Sequence, residues 1–314
     1  MNCLVTGSTG FIGSALTKRL VKEGYNVKAL IHNKKSNINE KNVEYILCDL
    51  TKPSDLKKLP LNIDVLYHCA ALVRDYGPKN DFYSVNLEGT KNLVETFKNS
   101  NLSYFIFLSH INYEEKKEIG YYNLSKKLAE SYLNEKFEKD NFPTVIIRPG
   151  NVYGPGANTW VIRIIELIKK KRIALIDNGM GIFLHTYIDN LIDALIATMN
   201  TPKSIGQTID ITDGDYSVTW GKYFNDLVNI LGEKPIKKNF SKKSAMILAK
   251  IMMFMYKLNI TEPWVTPTAV GILTNNKTIS IKKAEKILKY SPKIDYHTGM
   301  KNVENWLRKE GYIT

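Results

Sequence analysis

The opening of the chain, as far as Gly13, constrains it most. Met1-Asn2-Cys3-Leu4-Val5 is a short apolar run of buried-strand type that leads at once into Thr6-Gly7-Ser8-Thr9-Gly10-Phe11-Ile12-Gly13 and an amphipathic stretch through Leu20. Glycines at i, i+3 and i+6 between a strand and a helix have separable jobs. Gly7 permits a sharp turn, Gly10 leaves bare backbone for phosphates to approach, and Gly13 lets the helix lie close to the strand. Such a corner aims backbone N–H groups and the positive end of a helix dipole at a pyrophosphate. The spacing is GxxGxxG rather than GxGxxG, and in this position it predicts a dinucleotide site whose phosphates meet Gly7, Thr9, Gly10, Phe11, Ile12 and Gly13.

Further strand candidates fall at residues 25–31, 43–47, 64–68, 103–109 and 143–148, separated by segments of helical periodicity. This repeated βαβ rhythm predicts an α/β fold, a doubly wound parallel sheet of Rossmann type with its ligand crevice beyond the carboxyl ends of the strands. Those ends carry Gly7, His32, Asp49, Cys69-Ala70-Ala71, Ser109-His110 and Pro149. After about residue 150 the rhythm breaks into helices and short strands. The expected division is a dinucleotide-binding domain over 1–150, rejoined by a segment at roughly 182–212, and a smaller mixed α/β substrate lobe over most of 151–314.

The formal charge of +13 points to anionic partners, but the lysines are spread along the chain and read as a solvated surface. No concentrated basic stripe interleaved with aromatic residues occurs, so nucleic acid is not an expected partner. No apolar run approaches the ~20 residues needed to cross a bilayer, and the chain starts on a core strand, so neither secretion nor membrane insertion is expected. Cys3, Cys48 and Cys69 sit in or at the ends of apolar runs without CxxC spacing. Buried reduced thiols, no metal site and a cytoplasmic location are the expectations.

Cofactor choice is read at the end of the second strand. An Asp or Glu there takes the ribose 2′-hydroxyl of NAD and repels the 2′-phosphate of NADP. Here Val27-Lys28-Ala29-Leu30-Ile31 runs into His32-Asn33-Lys34-Lys35, which favours NADP and leaves NAD open. Asp49 and Leu50, after the third strand, are placed to meet the adenine edge, and Asp49 is equally suited to capping the next segment.

Tyr122-Asn123-Leu124-Ser125-Lys126 carries the chemistry. Four residues apart on a helix, the phenol and the ammonium face the same way. Taking a proton from an alcohol as hydride leaves needs a base, and a free tyrosine, with a pKa near ~10, is poorly matched to neutral pH. A cation ~4 Å away at an effective dielectric of 20 favours phenolate by about 4 kcal/mol before desolvation is subtracted, roughly three pKa units.

Together these motifs resemble the extended short-chain dehydrogenase/reductase superfamily, the NAD-dependent epimerase/dehydratase type. The resemblance rests on Thr6-Gly7 to Gly13, His68 to Ala71, Val85-Asn86-Leu87-Glu88-Gly89-Thr90, Tyr122 to Lys126, Arg148 to Gly156 and Tyr187-Ile188-Asp189-Asn190. It implies that Tyr122 is the acid/base and that Lys126 holds the nicotinamide ribose and tunes the tyrosine. It also implies that Ala70, Ala71 and Asn86 line the cofactor cleft, and that Pro149, Asn151 and Val152 lie beside the nicotinamide. In this family the fifth strand usually ends in two hydroxyl residues, the second polarising the substrate oxygen. Here the pair is Ser109-His110, so that either Ser109 supplies the hydroxyl, His110 donates through an imidazole N–H, or catalysis has been lost.

Substrate class is less constrained. Asn178 to His185 lacks the arginine that sugar-nucleotide enzymes of this family usually place there to hold a diphosphate, and Lys169-Lys170-Lys171-Arg172 reads as a solvated helix end. Residues 244–258 form an apolar helix with four of the eight methionines, preceded by Lys237, Lys238, Lys242 and Lys243. Such a helix suits a pocket for an apolar substrate, peripheral contact with an anionic membrane, or the core of the small lobe. The carboxyl-terminal motifs from Thr266 onward resemble the 3β-hydroxysteroid dehydrogenase and dihydroflavonol reductase branch. The expected activity is an NADP-preferring oxidoreductase interconverting a secondary alcohol and a ketone of a small-molecule substrate. A sugar-nucleotide epimerase or dehydratase with tightly held NAD and a noncatalytic dinucleotide sensor are the alternatives. The resemblance also implies a homodimer through the helices near Asn86 and Tyr122.

Overall fold

Strands that are apolar at every position bury both faces, and alternate residues then serve two different layers. The computed structural model, which describes residues 1–32, 40–111 and 120–313, has this pattern. Cys3 and Val5 of β1 (Asn2–Thr6) join one apolar layer and Leu4 joins the other. Tyr104, Ile106 and Leu108 of β5 (Tyr104–Leu108) face the first layer, Phe105 and Phe107 the second. With β2 (Asn26–Ile31), β3 (Val43–Leu47), β4 (Val65–His68), β6 (Thr144–Pro149) and β7 (Thr208–Ile211), they form one parallel sheet in the order β7-β6-β5-β4-β1-β2-β3. The six strands expected from the sequence occur within a residue or two of their expected bounds. The seventh is the return of the chain to the outer edge of β6, where Ile209 and Ile211 point inward.

Helices cover both faces. On one, α1 (Phe11–Lys22) buries Leu16 and Leu20 beside Leu191 and Leu195 of a helix spanning Ile188–Met199. On the other, Leu93, Val94 and Phe97 of a helix spanning Gly89–Phe97 pack with Ala129 and Leu133 of a long helix, Tyr121–Asp140. The chain runs outward from β1 to β2 and β3, then crosses back to β4 on the other side of β1. The strand order therefore reverses between β1 and β4, and a crevice opens beyond their carboxyl ends.

Later segments are pinned to this crevice by an aromatic cluster. Tyr153, fully buried, meets Phe183, Tyr187, Tyr223 and Tyr296 edge-on or tilted. Helices here start on side-chain caps: Thr219, Ser241, Thr266 and Asp295 each accept a backbone N–H three residues on.

Gly13 carries the tightest approach of the opening corner, since a Cβ there would sit 2.2 Å from the carbonyl oxygen of Gly7. Gly13→Ala should therefore destabilise the fold by about 1–3 kcal/mol, read as a lower urea midpoint at unchanged slope. An unchanged midpoint would show that the corner opens freely.

Candidate active site

The turn after β1 lies against the turn after β4. Gly7 has φ +66°, and a Cβ on it would fall 2.7 Å from the backbone nitrogen of Ala70, so two main chains meet where a side chain has no room. A buried chain of hydrogen bonds holds them together. The Ala70 N–H donates to Thr6 Oγ1 at 3.1 Å, Thr6 Oγ1 lies 2.8 Å from His68 Nδ1, His68 Nε2 lies 2.9 Å from Thr90 Oγ1, and Thr90 donates to the Asn86 carbonyl at 2.7 Å. Thr90 has one hydroxyl proton and gives it to Asn86, so it accepts from His68 Nε2–H. His68 then accepts from Thr6 at Nδ1, in keeping with a pKa held well below the usual histidine value by burial first and by Lys126 second.

Beyond this floor opens a cavity of about 590 Å³. Gly7, Gly10, Phe11, Ile12 and Gly13 line one end, and Ser109, His110 and Tyr122 the middle. Pro149, Asn151, Val152 and Ala71 line the same cavity.

Tyr122 lies in the first turn of the helix Tyr121–Asp140, with Lys126 one turn on. Lys126 is almost wholly buried, its Nζ has no hydrogen-bond partner among the described residues, and the ammonium sits 3.8 Å from the centroid of the Phe107 ring. Burial lowers its pKa to about 7 against an opposing pull from Glu130 and then Cys69. The phenol departs from the sequence expectation. Burial pushes Tyr122 well above its usual value, and the lysine, turned onto Phe107, does not offset this.

Among the described residues Ser109 Oγ, which is buried, has no hydrogen-bond partner, and neither ring nitrogen of His110 meets hydrogen-bond geometry. The His110 ring lies 5.0 Å from that of Tyr122, tilted by 40°. Burial, then the Lys126 charge, lowers the His110 pKa to about 4, so at neutral pH it has one N–H donor and one acceptor. His110 also borders a second cavity of about 320 Å³ lined by Asn123, Lys127, Glu130, Arg148 and Asp210.

Several expected cofactor residues lie elsewhere, each for a physical reason. Asn86 does not line the cleft: its amide is consumed as a latch, bonding Leu72 N–H at 2.7 Å, Leu72 O at 3.2 Å and Ser125 Oγ at 3.0 Å, so it shapes the cleft wall from behind. Ala70 contributes backbone to the floor. Leu50 is buried against Gly89. Asp49 Oδ1 accepts from both N–H and Oγ1 of Thr51, which makes a turn, while Lys52 occupies the cap position of the following Pro53–Leu56 helix. His32 is exposed, with Nε2 3.7 Å from Asp49, Thr9 is exposed on the turn, and Lys34 and Lys35 lie outside the described residues.

Sequence reasoning missed most of the far wall. Trp160, Phe224, Phe240, Leu248, Trp264 and Ile272 make it apolar, and Arg74, Arg163 and Arg172 add cations. The run Lys169 to Arg172 is exposed, as a solvated helix end would be: Lys170 caps the helix, Lys171 at φ +53° turns the chain, Lys169 Nζ donates to the Tyr312 carbonyl, and Arg172, though exposed, also borders the cleft. The signal in the sequence was the apolar stretch 244–258, of which Ala245 and Leu248 reach the cavity.

Residues 3–212 match the model of the NAD dependent epimerase/dehydratase family. The chain belongs to that family. It is 26% identical to the mouse protein named sterol-4-alpha-carboxylate 3-dehydrogenase, decarboxylating, over 92% of this chain and 86% of that one. It is 22% identical to the Shewanella oneidensis 2-alkyl-3-oxoalkanoate reductase, over 96% and 85%. Among solved structures, UDP-glucuronic acid 4-epimerase from Bacillus cereus in complex with NAD superposes with a TM-score of 0.78, covering 99% of both chains at 24% identity. The family resemblance carried by the motifs is thereby borne out, and the chain is an enzyme of the extended short-chain type, open to both oxidoreductase and epimerase chemistry. A dinucleotide fits the residues present: bare backbone from Gly7 to Gly13, and three buried polar atoms without hydrogen-bond partners among the described residues, Ser109 Oγ, Lys126 Nζ and Asn151 Nδ2.

Lys126 has a measurable signature. Its pKa falls from 10.5 to about 7 in the fold, so between those values the unfolded chain binds more protons and stability rises with pH, while below 7 the whole penalty is present. Lys126→Met should raise Tm at pH 6 and lose that advantage as pH climbs toward 10. An advantage constant with pH would mean that the ammonium is not desolvated.

Proposed function

We propose that the chain is an NADP-preferring oxidoreductase interconverting a secondary alcohol and a ketone on a small molecule with an apolar body. The observation that carries this reading is the meeting of Tyr122, Ser109 and His110 on one cavity whose opposite wall is largely apolar. Bound in the cleft, the dinucleotide supplies the hydride acceptor or donor. Tyr122 gives or takes the proton at the substrate oxygen, and Ser109 and the His110 N–H orient that oxygen by hydrogen bonding. A proton leaving so buried a phenol needs positive charge nearby, and Lys126, one helical turn along, is the cation built into the helix. The noncatalytic alternative rests on His110 standing where the second hydroxyl is expected, and Ser109, Tyr122 and Lys126 together weigh against it.

NADP preference is supported by the exposed His32 following β2, where NAD-specific sheets carry an acid, and by the engagement of Asp49 with Thr51 and Lys52. NAD, present in the solved epimerase, is the second cofactor. The segments 151–181 and 213–314 act as the substrate lobe. A homodimer is supported by the outer face of the helix Tyr121–Asp140, where exposed Leu128 lies one turn from Tyr132. The buried thiol of Cys3 and the half-buried thiol of Cys69, both raised to about 12 by desolvation, suit a reducing cytoplasm.

A second reading, sugar-nucleotide epimerisation, is favoured by Arg74, Arg163 and Arg172 on the cleft wall, which suit a diphosphate. The two separate on cofactor behaviour. The oxidoreductase should purify without tightly held cofactor and reduce NADP when a panel of apolar secondary alcohols is added. Retained NAD that is not consumed would favour the epimerase. Tyr122→Phe should lower kcat by about 10²–10⁴-fold while leaving NADP affinity unchanged. Survival of full activity in that variant would sink the assignment of the phenol as acid/base.

A further inference from the structure

The catalytic reading uses only one margin of the helix Lys242–Lys257. Its inner edge, Ala245, Ala249 and Met252, is buried, packing with Ile176 and Val270, and Leu248 on the next strip lines the cleft. The outer side carries exposed apolar side chains. Ile247, Ile251, Phe254 and Leu258 are each more than half exposed, and their spacing of four, three and four residues sets them in one straight stripe. Lys243 and Lys257, both exposed, stand on the margin of that stripe away from Leu248. Beyond the helix the apolar surface continues through Ile260 and Trp264, also more than half exposed, and Trp264 is part of the cleft wall. Tyr76, from the loop after β4, donates to Glu262 at 3.2 Å and meets the Tyr256 ring at 5.0 Å, which fixes the end of the helix over the cofactor side.

We infer that this face docks on an anionic lipid surface, with the stripe Ile247-Ile251-Phe254-Leu258 in the acyl boundary and the lysine row among the headgroups. An apolar stripe edged by lysines is what a helix lying in a membrane interface requires: the side chains displace water from the acyl layer, and lysine stems extend along it while their ammonium groups reach phosphate. Tryptophan at the rim suits the same depth, its ring apolar and its N–H wet. A second copy of the chain is a poor occupant, because pairing two such faces apposes two lysine rows on molecules of formal charge +13. Among the described residues no helix is long and apolar enough to cross a membrane, so the contact is peripheral. The docked face adjoins the cleft wall at Trp264, and an apolar substrate would enter directly from the lipid; that route rests on the proposed function, whereas the docking does not.

The test is flotation of the full chain, without substrate or cofactor, on vesicles of phosphatidylcholine alone and of phosphatidylcholine mixed with phosphatidylglycerol. Binding to the mixed vesicles, weakened by salt, is expected, with at least about tenfold less protein bound to the neutral ones. The double variant Ile251→Glu, Phe254→Glu should lose that binding about tenfold or more while keeping its Tm and NADP affinity, since both side chains point away from the cleft. Lys243→Glu with Lys257→Glu should do the same through charge alone. Absence of binding to either vesicle, equal binding to both, or binding untouched by the double variant overturns the inference. So does a concentration-dependent dimer in sedimentation that the double variant dissolves, which would give the face to a second copy. Because no turnover is measured, failure here leaves the oxidoreductase reading standing, and loss of that reading leaves the docking intact.

Discussion

Main chain against main chain, at the carboxyl ends of β1 and β4, is the contact on which the rest of the site depends. Gly7 and Ala70 meet at a distance that excludes any Cβ on the glycine, and this closeness lets the amino end of α1 and the loop after β4 serve one crevice. Such an approach leaves backbone polar groups at a buried seam, where each must find a partner. Thr6, His68 and Thr90 meet that need in a single chain of hydrogen bonds running from the Ala70 N–H to the Asn86 carbonyl. The same Asn86 then fixes Leu72 and, through Ser125, the helix that bears Tyr122 and Lys126. The phosphate corner and the acid/base helix are thus connected by one polar thread through an otherwise apolar interior.

Burial dominates the electrostatics of this site. Tyr122 is pushed up, His110 down to about 4 and Lys126 down to about 7, and in each case desolvation is the largest cause. All three shifts favour the neutral form, which shows that the protein alone leaves the site short of solvating dipoles and counter-charge. The Coulomb attraction between ammonium and phenolate is real at ~4 Å, but it acts only when both are charged and close, and here the ammonium rests on the Phe107 ring. A lysine held at about 7 changes its charge readily at neutral pH, so a hydrogen-bonding oxygen placed beside it would restore the cation and, with it, the pull on the phenol.

The sequence revealed those features that depend on local rules. The glycine corner needs particular residues at fixed offsets, and strands buried on both faces are continuous apolar runs, so β1, β5 and β6 stood out clearly. What escaped depends on where a side chain goes after the backbone is set. Asn86 sits in a recognisable motif, yet whether its amide faces the cleft or a neighbouring loop is decided by the distant Leu72 and Ser125. Asp49 follows a strand as an adenine-binding acid would, but Thr51, two residues on, captures it in a turn. Arg172 is exposed like the rest of its basic run, and that it also borders the cleft depends on the turn of the chain at Lys171.

The same reasoning locates what distinguishes one family member from another. The proposed proton transfer at Tyr122 would serve a dehydrogenase and an epimerase alike, so the residues at the ends of β1, β4 and β5 carry little information on substrate. Discrimination falls to the opposite wall, which comes from elements held in place by the Tyr153 aromatic cluster and by the short helix Pro267–Leu273. There, indole and phenyl rings at Trp160, Phe224, Phe240 and Trp264 outweigh polar side chains, and burying a sugar's hydroxyl groups against such a wall would leave them without hydrogen-bond partners. A substrate with an apolar body incurs no such loss, and of the arginines that line the cavity Arg163 is already paired with Asp75 at 3.1 Å. The proposed oxidation or reduction of an apolar alcohol rests on that balance of the wall.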